Sequence, residues 1–166
     1  MSSQKVARPI PVLRQHREGE RITLGAEEMR FALTTEDING RFDLIERMVS
    51  PNFQSPPLAH THSKEDWMGY VIEGRLVFQL DGRDVEVETG GSLFVPKGVY
   101  FRWWNPDSAP ARVLFLYTPG GFGAFFRDIM EHSAQKSDKL HDYDKTLSGI
   151  MRLHDKYGII RQEKQA

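Results

Sequence analysis

Residues 56–74 read PPLAHTHSKEDWMGYVIEG, and the reading of this stretch settles how the remainder of the chain is interpreted. His60 and His62 stand one residue apart at what reads as the start of a strand. Side chains alternate faces along a strand, so both imidazoles point the same way. Two histidines on one inward face are the beginning of a metal site; a pair of surface histidines in a proline-rich loop is the plainer alternative. The apolar run Tyr70-Val71-Ile72 then ends at Glu73-Gly74, and a second strand, Leu76 to Leu80, ends in the turn signal Asp81-Gly82.

Working outward, the neighbouring segments are short, alternating and punctuated by Gly and Pro. Glu20 to Leu24 reads as an edge strand. Arg30–Thr34 and Arg41–Val49 read as strands either side of the polar turn at 36–40. Further strands are expected near 69–72, 75–80, 84–88, 93–95, 101–104 and 111–118. This spacing predicts an all-β jelly-roll barrel. After Pro119-Gly120-Gly121 the period changes: Phe122, Phe125, Phe126, Ile129 and Met130 recur at helical spacing, a stripe that packs on the barrel. Ser133 to Asp144 reads as a polar loop and Thr146 to Tyr157 as a second helix stopped by Gly158. The expected organisation is an N-terminal arm over 1–18, a barrel over 19–120 and a helical extension over 121–166.

The motifs add a family resemblance. His60, His62 and Gly74 fit a first pattern, HxHxxxxE followed after six residues by Gly. Gly90, Pro96, Gly98 and Asn105 fit a second, GxxxxxPxGxxHxxxN. Across about residues 30–130 the chain thus resembles the cupins, in particular the single-domain, quercetin-dioxygenase-like group. The resemblance implies a double-stranded β-helix with helices packed on it, and homodimers. It also implies a metal such as Fe, Mn or Ni, held by two histidines, a glutamate and a third histidine. Here the glutamate's position is Trp67 and the third histidine's is Phe101, so two of four ligands are replaced by aromatic side chains.

Composition bounds the rest. With 166 residues, 39% apolar and 27% charged, the chain has enough material for one domain with its own core. A net charge of −1 gives no support to a nucleic-acid or membrane-surface role. The absence of cysteine excludes disulfides and thiolate catalysis. No stretch is apolar enough for a membrane span or a signal-peptide core, which makes cytoplasmic the expected location. The basic arm, with Lys5, Arg8, Arg14 and Arg17 ahead of Glu18, is read as packing on the barrel or on a second subunit.

In such a barrel the interior is the site. Parity puts Phe101 and Trp103 on one face of their strand, and Trp67 is expected to look inward as well. With Tyr70 and Tyr117 these form a substrate-binding wall for a flat hydrophobic molecule, the aromatics otherwise simply filling the barrel. His60 and His62 are the candidate proton-transfer groups, with Glu46 as a further candidate. His16, His132, His141 and His154 lie outside the motif and are given no role. No cofactor is expected. If a divalent metal (Fe, Mn, Ni or Zn) binds, His60 and His62 hold it, helped by Glu65 or Asp66; those acids, however, fall in a loop where a charged side chain ordinarily faces solvent. The function expected is a metal-independent enzyme acting on an aromatic, polyketide-like molecule through a redox-neutral step: cyclisation, isomerisation or elimination. A metal-dependent quercetinase-like dioxygenase with an altered ligand set and a non-catalytic small-molecule-binding cupin are the alternatives.

Overall fold

The computed structural model describes residues 10–24, 27–55, 59–134 and 143–162, with the side chains of 133–134 and most of 143–150 left aside. In chain order it contains β1 (Arg21–Leu24), β2 (Glu27–Leu33), β3 (Asp43–Val49), β4 (His60–His62), β5 (Asp66–Glu73) and β6 (Arg75–Leu80). Next come β7 (Arg83–Glu88), β8 (Ser92–Val95), β9 (Phe101–Trp104) and β10 (Ala111–Thr118), then helices α1 (Gly123–Ala134) and α2 (Tyr143–Tyr157), and β11 (Ile159–Arg161).

The strands form two antiparallel sheets, ordered β1-β2-β3-β10-β5-β8 and β11-β4-β9-β6-β7. Alternation decides which side chains face the space between them. In β10, Ala111, Val113, Phe115 and Tyr117 are buried while their neighbours are half-buried; in β9, Phe101 and Trp103 are buried and Arg102 and Trp104 less so. The inner faces join in one core with Phe31, Ile45, Val71, Phe78 and the helix residues Phe122, Phe125 and Phe126. This is the jelly-roll barrel that the strand spacing predicts, with α1 and α2 following the barrel strands.

Two glycines shape the interior and its lower edge. Gly69 on β5 faces inward, where a Cβ would stand 3.0 Å from the Phe115 ring and 3.4 Å from the Trp67 ring. Its missing side chain is what lets those two rings meet. Gly158 ends α2 with φ +73°, and a Cβ there would stand 2.4 Å from the Ser63 hydroxyl. Its carbonyl accepts from both the backbone N–H and the hydroxyl of Ser63, at 2.9 Å each. That clamp delivers the chain into β11.

Several segment expectations need correction. The second strand begins at Glu27, before Arg30, and the first-motif strand at Asp66, before Gly69. The segment expected to loop from Ser133 is helical at 133–134, and α2 begins at Tyr143, so Asp144 is helical too; residues 135–142 lie outside the described set. The C-terminal extension is not purely helical, because β11 joins the second sheet. Of the arm, residues 1–9 fall outside the described residues, as do Pro56 and Pro57. Arg14 ties its later part to the barrel by donating to Asp37 at 2.6 Å.

Candidate active site

A cavity of about 470 Å³ opens between the sheets and under the helices. The barrel is therefore not filled solid by its aromatic side chains. β4 brings in His60 and His62, and β4 itself is pinned on both sides. Ile159 and Arg161 of β11 pair with His62 and His60, and Phe101 of β9 pairs with His60. Trp67, Phe101, Trp103, Phe115 and Tyr117 supply the wall from the two sheets, and Phe122 and Phe126 close it from the α1 end. Their rings interlock: Trp67 lies 4.9 Å from Phe101 and meets Phe115 edge-on at 5.2 Å, and Tyr117 lies 4.6 Å from Phe122.

The pairing within this wall defines its chemistry. His62 Nδ1 lies 2.7 Å from Glu65 Oε1, with both residues buried. In this contact the imidazole Nδ1–H is the donor and a carboxylate oxygen the acceptor, which leaves Nε2 outside the pair. Glu65 is thus corrected from a solvent-facing acid to a buried one paired with His62. Asp66 instead accepts from the Lys97 backbone N–H at 2.8 Å. His60 is different. Burial first, and then the neighbouring His62, His154 and Arg161, push it down to about 3, so it stays neutral, and its Nδ1 is buried without a partner among the described residues. Burial likewise drives Tyr117 upward and keeps it a phenol.

Two of the expected site residues stand elsewhere. Glu46 points to the outer face of β3, where it accepts from Arg30 at 2.8 Å and forms a second ion pair with Arg112. Tyr70 is 47% exposed on the outer face of β5. Neither lines the cavity. The residue after Glu46 does: Arg47 enters the cavity paired with Glu27, at 6% and 5% exposure. Parity holds the missed signal, since Ile45 and Val49 mark the odd-numbered face of β3 as the inner one. His154 and Arg161 also line the cavity, the Arg161 Nε 3.2 Å from His154 Nδ1. Burial, with Arg161 adding to it, lowers His154 to about 4. His154 belongs to no motif, and Arg161 stands on a three-residue strand that carries almost no periodic signal, so neither is visible to sequence reasoning.

The metal that the resemblance implies does not fit these residues. The positions that would complete the ligand set hold Trp67 and Phe101, and the Phe101 ring lies 4.5 Å from His60 and 5.5 Å from His62. Glu65, the nearby carboxylate, is engaged with His62. Among the described residues no three His, Asp or Glu side chains are grouped to hold a metal ion.

A cupin-domain family model matches residues 47–117, and the two-sheet architecture agrees with a cupin fold. Three of the known proteins to which the chain is similar are the following. The tetracenomycin polyketide synthase protein TcmJ of Streptomyces glaucescens is 40% identical over 60 residues, 36% of this chain and 40% of TcmJ. The polyketide cyclase RemF from Streptomyces resistomycificus superposes with a TM-score of 0.56 at 27% identity, over 65% of this chain and 80% of RemF. Quercetin 2,3-dioxygenase of Bacillus subtilis is 22% identical over 120 residues, 72% of this chain and 35% of that enzyme. The two sequence relatives are thus matched over well under two thirds of their own length. Among the described residues, no helix is long and apolar enough to cross a membrane.

Proposed function

We propose that the protein is a cupin enzyme that binds a flat, hydrophobic, polyketide-like aromatic molecule in its barrel and rearranges it by proton transfer, without net redox change. The observation that carries this is His62, which lines the aromatic cavity and is paired behind it with the buried Glu65. His62 Nε2 takes a proton from a ligand carbon next to a carbonyl. Glu65 holds the ring in place and stands beside the imidazolium that forms. The proton then returns at another ligand atom, so that cyclisation, isomerisation or elimination follows from where it is delivered. His60 remains uncharged and acts as a hydrogen-bonding group. TcmJ and RemF, both named for polyketide chemistry, support the substrate class. The dioxygenase reading draws on the quercetin 2,3-dioxygenase likeness, but among the described residues no group of three His, Asp or Glu stands ready for its metal.

The test is to incubate the protein in D2O with aromatic polyketide intermediates that carry an acidic C–H. Mass spectrometry should show solvent deuterium entering ligand or product with wild type and not with His62→Ala. Binding without exchange or turnover for every intermediate would leave a non-catalytic binding protein in its place.

A further inference from the structure

Glu27 and Arg47 meet as a buried ion pair in the cavity wall. Three aromatic rings enclose the guanidinium: its carbon lies 4.9 Å from the Trp103 ring centre and 5.5 Å from those of Phe115 and Phe126. Rings cover the flat faces of a guanidinium and leave its edge N–H groups to hydrogen-bond. One edge donor, Arg47 Nε, is buried without a partner among the described residues, and so is Glu27 Oε1. A third such atom is the indole Nε1 of Trp67, a residue 3% exposed in the same wall. Buried polar atoms are ordinarily paired, and each exception calls for an explanation. Two donors and one acceptor are thus buried without partners on three residues that line one cavity.

We propose, resting on the pocket assigned under the proposed function, that Glu27, Arg47 and Trp67 form an orienting subsite for un-ionised oxygens on the ligand. A carbonyl oxygen accepts from Arg47 Nε–H or Trp67 Nε1–H, and a hydroxyl donates to Glu27 Oε1. The ligand class is a flat aromatic carrying a carbonyl and a hydroxyl on one edge. The charge balance favours neutral oxygens: Arg47 is already matched by Glu27, so a carboxylate or phosphate would add an unmatched negative charge beside Glu27. Tyr117, itself a phenol in this cavity, is kept un-ionised by burial. Seating that edge at Glu27–Arg47 fixes which ligand atoms are presented to His62.

The test uses four probes on one naphthalene frame: naphthalene, 1-naphthol, 2-acetylnaphthalene and 3-acetyl-1-naphthol, whose meta arrangement prevents an internal hydrogen bond. Isothermal titration calorimetry of the full chain should give 3-acetyl-1-naphthol a Kd about tenfold or more below that of naphthalene, the scale of one or two good hydrogen bonds. The comparison variant is the double substitution Glu27→Leu/Arg47→Met, which removes both charges and the carboxylate acceptor together and leaves neither charge buried and unmatched. There the preference should collapse to within about threefold while naphthalene binding holds, as expected for loss of polar contacts alone. An unchanged preference in the double variant overturns the subsite. Four equal affinities in wild type overturn it too, with the aromatic pocket left standing. Failure of every probe, naphthalene included, overturns the pocket reading itself and the subsite with it. Unaltered thermal unfolding of the double variant certifies the comparison; if it unfolds, Glu27→Met/Arg47→Met takes its place, with unbranched apolar side chains at both positions, and the same collapse of preference is required.

Discussion

Glu65 reaches back three residues to His62, and the two side chains meet at 2.7 Å in the buried wall of the barrel. Under the proposed function the carboxylate holds Nδ1–H of the imidazole and leaves Nε2 as the nitrogen that takes a proton. Glu65→Gln should therefore lower kcat by roughly 10- to 100-fold, and His62→Ala by about 100-fold or more, the usual range for an orienting partner and for a general base. Ligand affinity should change little in either. Steady-state kinetics beside calorimetric binding checks this, and a Glu65→Gln variant with wild-type kcat would refute the orienting role.

Glu46 is expected to behave in the opposite way. It bridges Arg30 and Arg112 on the outer face, away from the cavity. Glu46→Gln should leave kcat and KM unchanged and cost about 0.5–2 kcal/mol of stability, because it leaves two guanidinium groups facing one another. Urea unfolding and turnover on the same preparation separate the two effects. A large loss of turnover in a normally folded variant would return Glu46 to the site.

Acid should weaken the fold before it titrates the carboxylates. His60 is held down to about 3 and His154 to about 4, whereas both protonate near 6.5 when unfolded. A base with a depressed folded pKa contributes stability that is complete above its unfolded pKa. That contribution is lost as pH falls from there toward the folded value. Between pH 6.5 and 4.5 the two histidines together should cost on the order of 1–3 kcal/mol. Depressed carboxylates such as Glu46 and Asp37 add their losses mainly below that window. Thermal melts at steps across it should show the decline, and His154→Gln should flatten it. An identical slope in that variant would rule His154 out as a contributor.

The aromatic wall should control binding more than chemistry. Trp67→Ala should weaken binding of a flat ligand by about 1–3 kcal/mol through lost apolar contact, while Tyr70→Ala on the outer face should not change it. Trp67→Phe, which keeps the packing, should lie between. Calorimetric titration decides, and equal losses at Trp67 and Tyr70 would contradict the assigned facing.

Much of this architecture is legible in the sequence, and the residues show why. The motif glycines and prolines announce turns, and Phe101, Trp103, Phe115 and Tyr117 fall on inner faces by simple alternation. Alternation also holds for β3, yet it is Glu46 rather than Arg47 that looks like the reactive group, because a charged residue on an inner face contradicts the pattern unless its partner is known. That partner, Glu27, sits on a strand whose start is hidden by polar residues. Glu65 gives no sign either: a loop acid three residues from a histidine is common, and only the fold of that loop buries it. His154 and Arg161 reach the cavity through α2 and a three-residue strand, a tertiary placement that no local period encodes.

The place of β10 in its sheet also has a kinetic meaning. It inserts between β3 and β5, pairing with both, although it follows them by a long stretch of chain. The β6–β7 hairpin across Asp81-Gly82 can close locally, but the central ladder requires wide loops to be drawn shut before any hydrogen bond compensates for the lost entropy. Refolding is accordingly expected on the millisecond-to-second scale of sheet proteins ruled by distant pairings. The strand carrying His60 and His62 is held on one side by β11, which comes later still. Recovery of the site should therefore coincide with the final, global step of refolding and not precede it.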